Sequence, residues 1–156
     1  MWRAGGQTPA MASVNHVGLT VGDLDASLAF YTEVVGMTVV VPRYRSGGAW
    51  FDTLTGNHGA AIDVAMLQSG SLVLQLVQYH QGGDPVAFTG HARVGNVHLS
   101  IDVDDVEKKR AAIATTHDPT PIVDLPFPGA RSFYVHDPDG VPVEFLQLPD
   151  DAHLPR

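Results

Sequence analysis

The sequence predicts an α+β fold made of two copies of one strand-helix-strand-strand-strand module. Three observations carry this. The segment from His16 to Leu24, HVGLTVGDL, returns as HLSIDVDDV from His98 to Val106, an offset of 82 positions. Leu74 to Gln78, LQLVQ, returns as VEFLQ from Val143 to Gln147, an offset of 69. Between these echoes each half runs through the same alternation of period-two apolar stretches and one stretch with helical spacing.

The elements follow in order. Residues 14–21 alternate and stop at Gly22-Asp23, which reads as a strand. Asp23 then caps a helix whose Leu24, Leu28, Tyr31 and Val35 share one face, and Gly36 ends it. Residues 37–41 form a short strand halted by Pro42, and residues 62–67 and 71–79 form a hairpin around Gln68-Ser69-Gly70. The second copy repeats the order with a strand at 96–103, a helix from Asp105 to about Thr115, a short strand near Ile122, and strands at 130–135 and 141–148. Asp137-Pro-Asp-Gly is a tight turn that sets the register of the last strand. The organisation is therefore an N-terminal extension (1–13), module one (14–80), a linker (81–95), module two (96–148) and a tail (149–156). The two offsets differ, so module one carries 13 extra residues, which fall most naturally between Pro42 and Ala60. That stretch holds Arg43, Tyr44, Arg45, Trp50, Phe51 and His58 and reads as a long binding or lid loop.

Composition narrows the function. The 156 residues suffice for a substantial core, and Cys is absent, which removes disulfides, thiolate ligands and a cysteine nucleophile. Seventeen acidic against nine basic residues give a net charge of -8, which argues against nucleic acid and anionic membranes as partners. No stretch reads as a signal peptide or a membrane span, so the expectation is a cytoplasmic protein.

A duplicated module related by a pseudo-twofold axis brings equivalent positions together. His16 and His98 begin the two copies, and Gln75 and Glu144 are the polar members of otherwise apolar strands. Two imidazoles, an amide oxygen and a carboxylate suit Zn, Fe(II), Mn, Co or Ni, and the donor set does not choose among these metals.

The pattern resembles the vicinal oxygen chelate superfamily, which includes glyoxalases, methylmalonyl-CoA epimerases, extradiol dioxygenases, fosfomycin-modifying enzymes and bleomycin-binding proteins. The resemblance spans residues 14–148. It rests on Asn15-His16-Val17-Gly18-Leu19, Asp23, Phe30-Tyr31, Gly36-Met37, Leu74-Gln75-Leu76, Val97-His98-Leu99, and Asp137-Pro138-Asp139-Gly140 before Val143-Glu144-Phe145. It implies two βαβββ modules in a curved, half-open eight-stranded barrel around a divalent metal held by His16, Gln75, His98 and Glu144. Glutamine as the second ligand is similar to the epimerase set. It departs from glyoxalases with two metal-bound glutamates, because an amide cannot take a proton at neutral pH.

The resemblance implies an isomerase or lyase acting on a small carbonyl compound through a metal-stabilised enolate. Glu144 is the first candidate base, with His58 and Asp63 next. Arg43, Arg45, Trp50, Phe51, Tyr79 and Tyr134 are candidate substrate contacts, and a coenzyme A thioester would draw on Arg43, Arg45, Arg93 and Arg131. The alternatives are an Fe(II) ring-cleaving dioxygenase and a non-catalytic protein that sequesters an antibiotic or metabolite. A homodimer is the expected assembly.

Overall fold

The computed structural model describes residues 13–81 and 90–149. In chain order the elements are β1 (Val17–Thr20), α1 (Leu24–Ala29), β2 (Thr38–Gly47), α2 (Ala49–Thr55), β3 (Ala61–Ser69), β4 (Leu72–Tyr79), β5 (Leu99–Asp102), α3 (Val106–Ile113), β6 (Val123–Asp124), β7 (Arg131–His136) and β8 (Pro142–Gln147). They make two four-stranded mixed sheets of the same topology, β1-β4-β3-β2 and β5-β8-β7-β6. In each, the first strand runs parallel to the last and the other pairs are antiparallel. The sheets do not close, and the architecture is the half-open α+β arrangement of two repeats.

The repeat extends to single hydrogen bonds. Asp23 caps α1 by accepting from the amides of Asp25 (2.9 Å) and Ala26 (3.1 Å), and Asp105 caps α3 by accepting from Lys108 (2.9 Å). Gln78 Oε1 accepts from the Leu24 amide at 3.0 Å, and Gln147 Oε1 accepts from the Val106 amide at 2.8 Å. These glutamines tie each module's last strand to its helix and satisfy amides that a helix start leaves without partners.

Each sheet has two faces. On one, Ala65, Leu67, Leu74 and Leu76 from the first sheet and Phe133, Val135, Val143 and Phe145 from the second join Leu24, Val106 and Ile113 of the helices in a single buried core. After Ala29 the first helix widens into a π-helical stretch, Phe30–Val35, before Gly36 stops it in the left-handed region (φ 94°). The wider turn lets adjacent pairs, Phe30-Tyr31 and Val34-Val35, all enter the core.

Contacts between the modules centre on the Asp137-Pro-Asp-Gly turn, closed by Gly140 N donating to Asp137 O at 2.9 Å. Tyr31 donates to Asp137 Oδ2 at 3.0 Å, and Gly22 N donates to both Asp139 oxygens at 3.0 and 3.1 Å. A Cβ at position 22 would sit 2.8 Å from Asp139 Oδ1, so glycine permits this approach. Lys109 adds a third tie, donating to Val34 O at 2.7 Å and lying 4.9 Å from the centre of the Phe145 ring.

The element bounds differ from the sequence reading most at β2. Pro42 does not stop that strand, which continues to Gly47 with irregular register around Val41. The reason is its place at the sheet edge, where a missing N–H costs no ladder bond. The expected long loop is consequently the second half of β2 plus the short helix α2. The first strand is also shorter than expected, leaving His16 just before β1 and His98 just before β5. The N-terminal extension up to residue 12, the tail from 150 and positions 82–89 of the linker lie outside the described residues. Among the described residues no helix is long and apolar enough to cross a membrane.

Candidate functional site

Opposite the core face, the first sheet carries a second, smaller apolar cluster of Phe51, Ala60, Ile62 and Val64 with Val77 and Tyr79. Alternation along β4 sends Leu74, Leu76 and Gln78 to the helix side and Gln75, Val77 and Tyr79 to this side. The result is a cleft of about 380 Å³ whose lining includes His16, Gln75, Tyr44, Trp50, Phe51 and Tyr79. His16 is exposed and its Nδ1 lies 2.7 Å from Asn15 Oδ1, which leaves Nε2 as the free ring nitrogen. Gln75 pairs with Gly18 across the parallel ladder, and its Oε1 stands 3.8 Å from where a Cβ on that glycine would be.

The second sheet repeats the pair. Glu144 lies opposite Ser100 on β5 and opposite Tyr134 on β7, so the three share a face. His98 Nε2 stands 4.0 Å from Glu144 Oε2. Glu144 Oε1 accepts a 2.6 Å hydrogen bond from the buried Ser132 hydroxyl. The Tyr134 phenol faces the same carboxylate; burial, then the charge of Glu144, push it above its ordinary value, so it stays protonated as a donor. Its ring is flanked edge-on by His98 (6.0 Å between centres) and His91 (5.1 Å).

The four expected ligands thus form two pairs, His16 with Gln75 in the first cleft and His98 with Glu144 on the second sheet. Among the described residues no three His, Cys, Asp or Glu side chains gather closely enough to hold one ion. The chemistry of each pair nonetheless fits a divalent cation. With bonds of roughly 2.0–2.2 Å, nitrogen and oxygen ligands 4 Å apart can share one ion, and the imidazole and carboxylate of the second pair are at that separation.

Four other candidate residues, Asp63, Arg43, Arg45 and His58, stand outside the cleft lining. Asp63 lies opposite Gln78, on the helix side, away from Gln75. It is 3% exposed, Arg43 and Arg45 donate to its oxygens, and His80 Nε2 is 3.2 Å away. The Arg45 and Arg43 hydrogen bonds hold this carboxyl well below the usual range, which favours its ionised form. Arg43 and Arg45 are engaged in the same network, Arg43 reaching on to Asp25 at 2.8 Å, and neither faces the cleft. The network has a counterpart of reversed polarity in module two, where Arg131 on β7 bonds Glu107 at 2.6 Å and approaches Asp124 at 3.3 Å. His58 sits in an exposed turn after α2 and is not part of the cleft lining. Trp50, Phe51 and Tyr79 do line it, and Tyr134 stands beside Glu144.

Sequence reasoning did not pick out Ser132, His91, Ser46 or Leu54. For Ser132 the signal was available only as register, since two-residue alternation from Tyr134 puts it on the Glu144 face. Trp50 and Leu54, one turn apart, carried a helical signal inside the supposed loop.

A half-open pair of βαβββ sheets with histidines at the strand starts defines a class, and sequence comparison agrees with it. Residues 13–145 match the Glyoxalase/Bleomycin resistance protein/Dioxygenase superfamily, and the chain belongs to that family. It is 30% identical over 153 residues to a 2-epi-5-epi-valiolone epimerase of an Actinomyces species, covering 92% of this chain and 84% of that one. It is 28% identical to the lactoylglutathione lyase of Haemophilus influenzae, covering 85% and 90%. A glyoxalase family protein of Bacillus cereus has the same fold, with a TM-score of 0.77 at 16% identity over 90% of this chain and 96% of that one.

Proposed function

We propose that the protein is a divalent-metal-dependent isomerase or lyase of a small carbonyl compound, with His16, Gln75, His98 and Glu144 as the ligands. The observation that carries the reading is the matched pairing of the four groups, one imidazole and one oxygen donor at the same place in each repeat. Because the pairs stand apart within one chain, the complete set is assembled in a homodimer, with the first pair of one protomer against the second pair of its partner. A C2 dimer makes two such sites by symmetry.

A divalent ion held there supplies Lewis acidity, lowering the cost of negative charge on a substrate oxygen. The chain's own groups do the rest. Glu144 is the one carboxylate of the set, and Gln75 cannot accept a proton. Glu144 takes the proton from the carbon next to the carbonyl; that C–H bond breaks and its electron pair moves to the carbonyl oxygen as an enolate. Ser132 and Tyr134 hold the carboxylate in place. With Asp63 on the far face and His58 outside the lining, a single base removes the proton and delivers it to the neighbouring carbon.

The test is metal analysis of purified protein, followed by NMR of α-hydroxy ketones in deuterated solvent. Exchange of the α-hydrogen that stops on chelation and returns with added metal supports the reading. Protein that binds no divalent ion, or that carries metal but exchanges no hydrogen across several carbonyl compounds, overturns it. Oxygen uptake with a catechol would place the chain with the ring-cleaving enzymes instead.

A further inference from the structure

We infer that the cleft walled by α2 recognises an uncharged ring, so that the substrate is a compact carbonyl compound bearing a neutral alicyclic or aromatic ring rather than a coenzyme A thioester or a glutathione adduct. The inference rests on the reading of His16 and Gln75 as ligands beside that cleft.

Four observations converge. The walls are aromatic and aliphatic, with Tyr44, Trp50, Phe51, Leu54 and Tyr79 among the lining and no Lys or Arg in it. Phe51 is 6% exposed and anchors α2 on the sheet, its ring 6.0 Å from Tyr79 and 5.5 Å from Trp50, so Trp50 is held in position. Trp50 and Leu54 are nevertheless 58% and 73% exposed, a pair of large apolar side chains one helical turn apart at the edge of a cleft. The volume, about 380 Å³, lies at the small end of ligand pockets.

Charge decides against a phosphorylated or peptide handle. Arg43 and Arg45 are the cations nearest in sequence, and both are turned to the opposite face and paired with Asp63. Arg131 is likewise engaged by Glu107 and Asp124. A phosphate or carboxylate against the aromatic wall would lose hydration with no Lys or Arg side chain in the lining to replace it, whereas a neutral ring gains by covering apolar surface. The Tyr44 and Ser46 hydroxyls remain to bond neutral polar substituents on the ring.

The test uses metal-free protein in a Trp2→Phe background, where Trp50 is the emitting tryptophan. Titration with 2-hydroxycyclohexanone is expected to change the emission saturably and independently of salt, while acetyl-CoA and S-lactoylglutathione leave it unchanged. By calorimetry Trp50→Ala is expected to weaken ketone binding about tenfold, from lost ring contact alone, with an unaltered circular dichroism spectrum. A saturable response to the anionic thioesters, or none to the ketone, overturns the inference. Cobalt(II) absorbance on the same samples separates the two readings. Ketone binding without metal binding sinks the metal centre and leaves the pocket, whereas metal binding without ketone binding sinks the pocket alone.

Discussion

The hydrogen bond from Tyr31 to Asp137 joins the helix of module one to the turn of module two, and Tyr31→Phe removes it while keeping the ring. Tyr31 is fully buried and Asp137 is 5% exposed. Asp137 Oδ1 keeps the amides of Val141 (2.7 Å) and Asp139 (2.9 Å), whereas Oδ2 loses the Tyr31 hydroxyl. A hydrogen bond to a charged group contributes roughly 1.5–3 kcal/mol, so the variant should lose about 2 kcal/mol. For a chain of this size that lowers Tm by roughly 4–8 °C. The pH dependence has a definite sign. Burial pushes the Asp137 carboxyl above its ordinary value, and the Tyr31 hydrogen bond works against that rise. Without Tyr31 the folded-state value climbs further above the unfolded one, so the deprotonated form costs more. The deficit is therefore greatest near neutrality and shrinks on acidification, as Asp137 binds its proton more tightly in the folded than in the unfolded state. Calorimetric melts of both proteins between about pH 7 and pH 4.5 test this. Equal melting temperatures at neutral pH, or a deficit that does not change with pH, would refute the reasoning.

Other outcomes are as definite. Ser27 is fully buried, and among the described residues its hydroxyl is the one buried side-chain polar atom without a hydrogen-bond partner, so Ser27→Ala should stabilise by about 1 kcal/mol in urea unfolding. Asp63 is held below its ordinary value, so its contribution is present above the unfolded carboxylate pKa of about 3.9 and lost as pH falls below it. Asp63→Asn should lower the neutral-pH urea midpoint and flatten the acid slope. Glu144→Gln keeps an oxygen ligand but no base, and should retain cobalt(II) absorbance while α-hydrogen exchange falls by about 10²-fold or more. His16→Ala and His98→Ala should each be inactive alone, yet refolding them as an equal mixture should restore about a quarter of wild-type exchange. Half of the dimers would be mixed, with one of two sites intact. No recovery would place each site within one chain.

What the sequence made legible was local. Asp23, Asp105 and Gly36 act where their chemistry says they should, and the offsets of 82 and 69 reappear in the Gln78 and Gln147 bonds to Leu24 and Val106. Sidedness was harder. Asp63 is the third residue of β3, and one position either way would have turned it to the cleft, but only the cross-strand pairing with Gln78 fixes its face. Pro42 misled because edge and interior strands look alike in a single chain. The docking of Asp137-Pro-Asp-Gly on Tyr31 and Gly22 was also hidden, since a turn motif declares its own backbone but not its distant partner.

The repeat is symmetric in its backbone and unequal in its chemistry. On the first sheet the open face is covered by α2, and the proposed ligand beside it is an amide that cannot exchange protons. The second sheet has only the two-residue β6 at the position of the ten-residue β2, and its equivalent proposed ligand is a carboxylate held by a serine and a tyrosine. In the proposed function the extra chain thus lies in the half that binds the substrate, and the acid–base group in the other half. In the proposed dimer each site takes one half from each protomer. Substitutions in α2 should then change which ketone binds, while substitutions around Ser132 should change how fast its hydrogen exchanges.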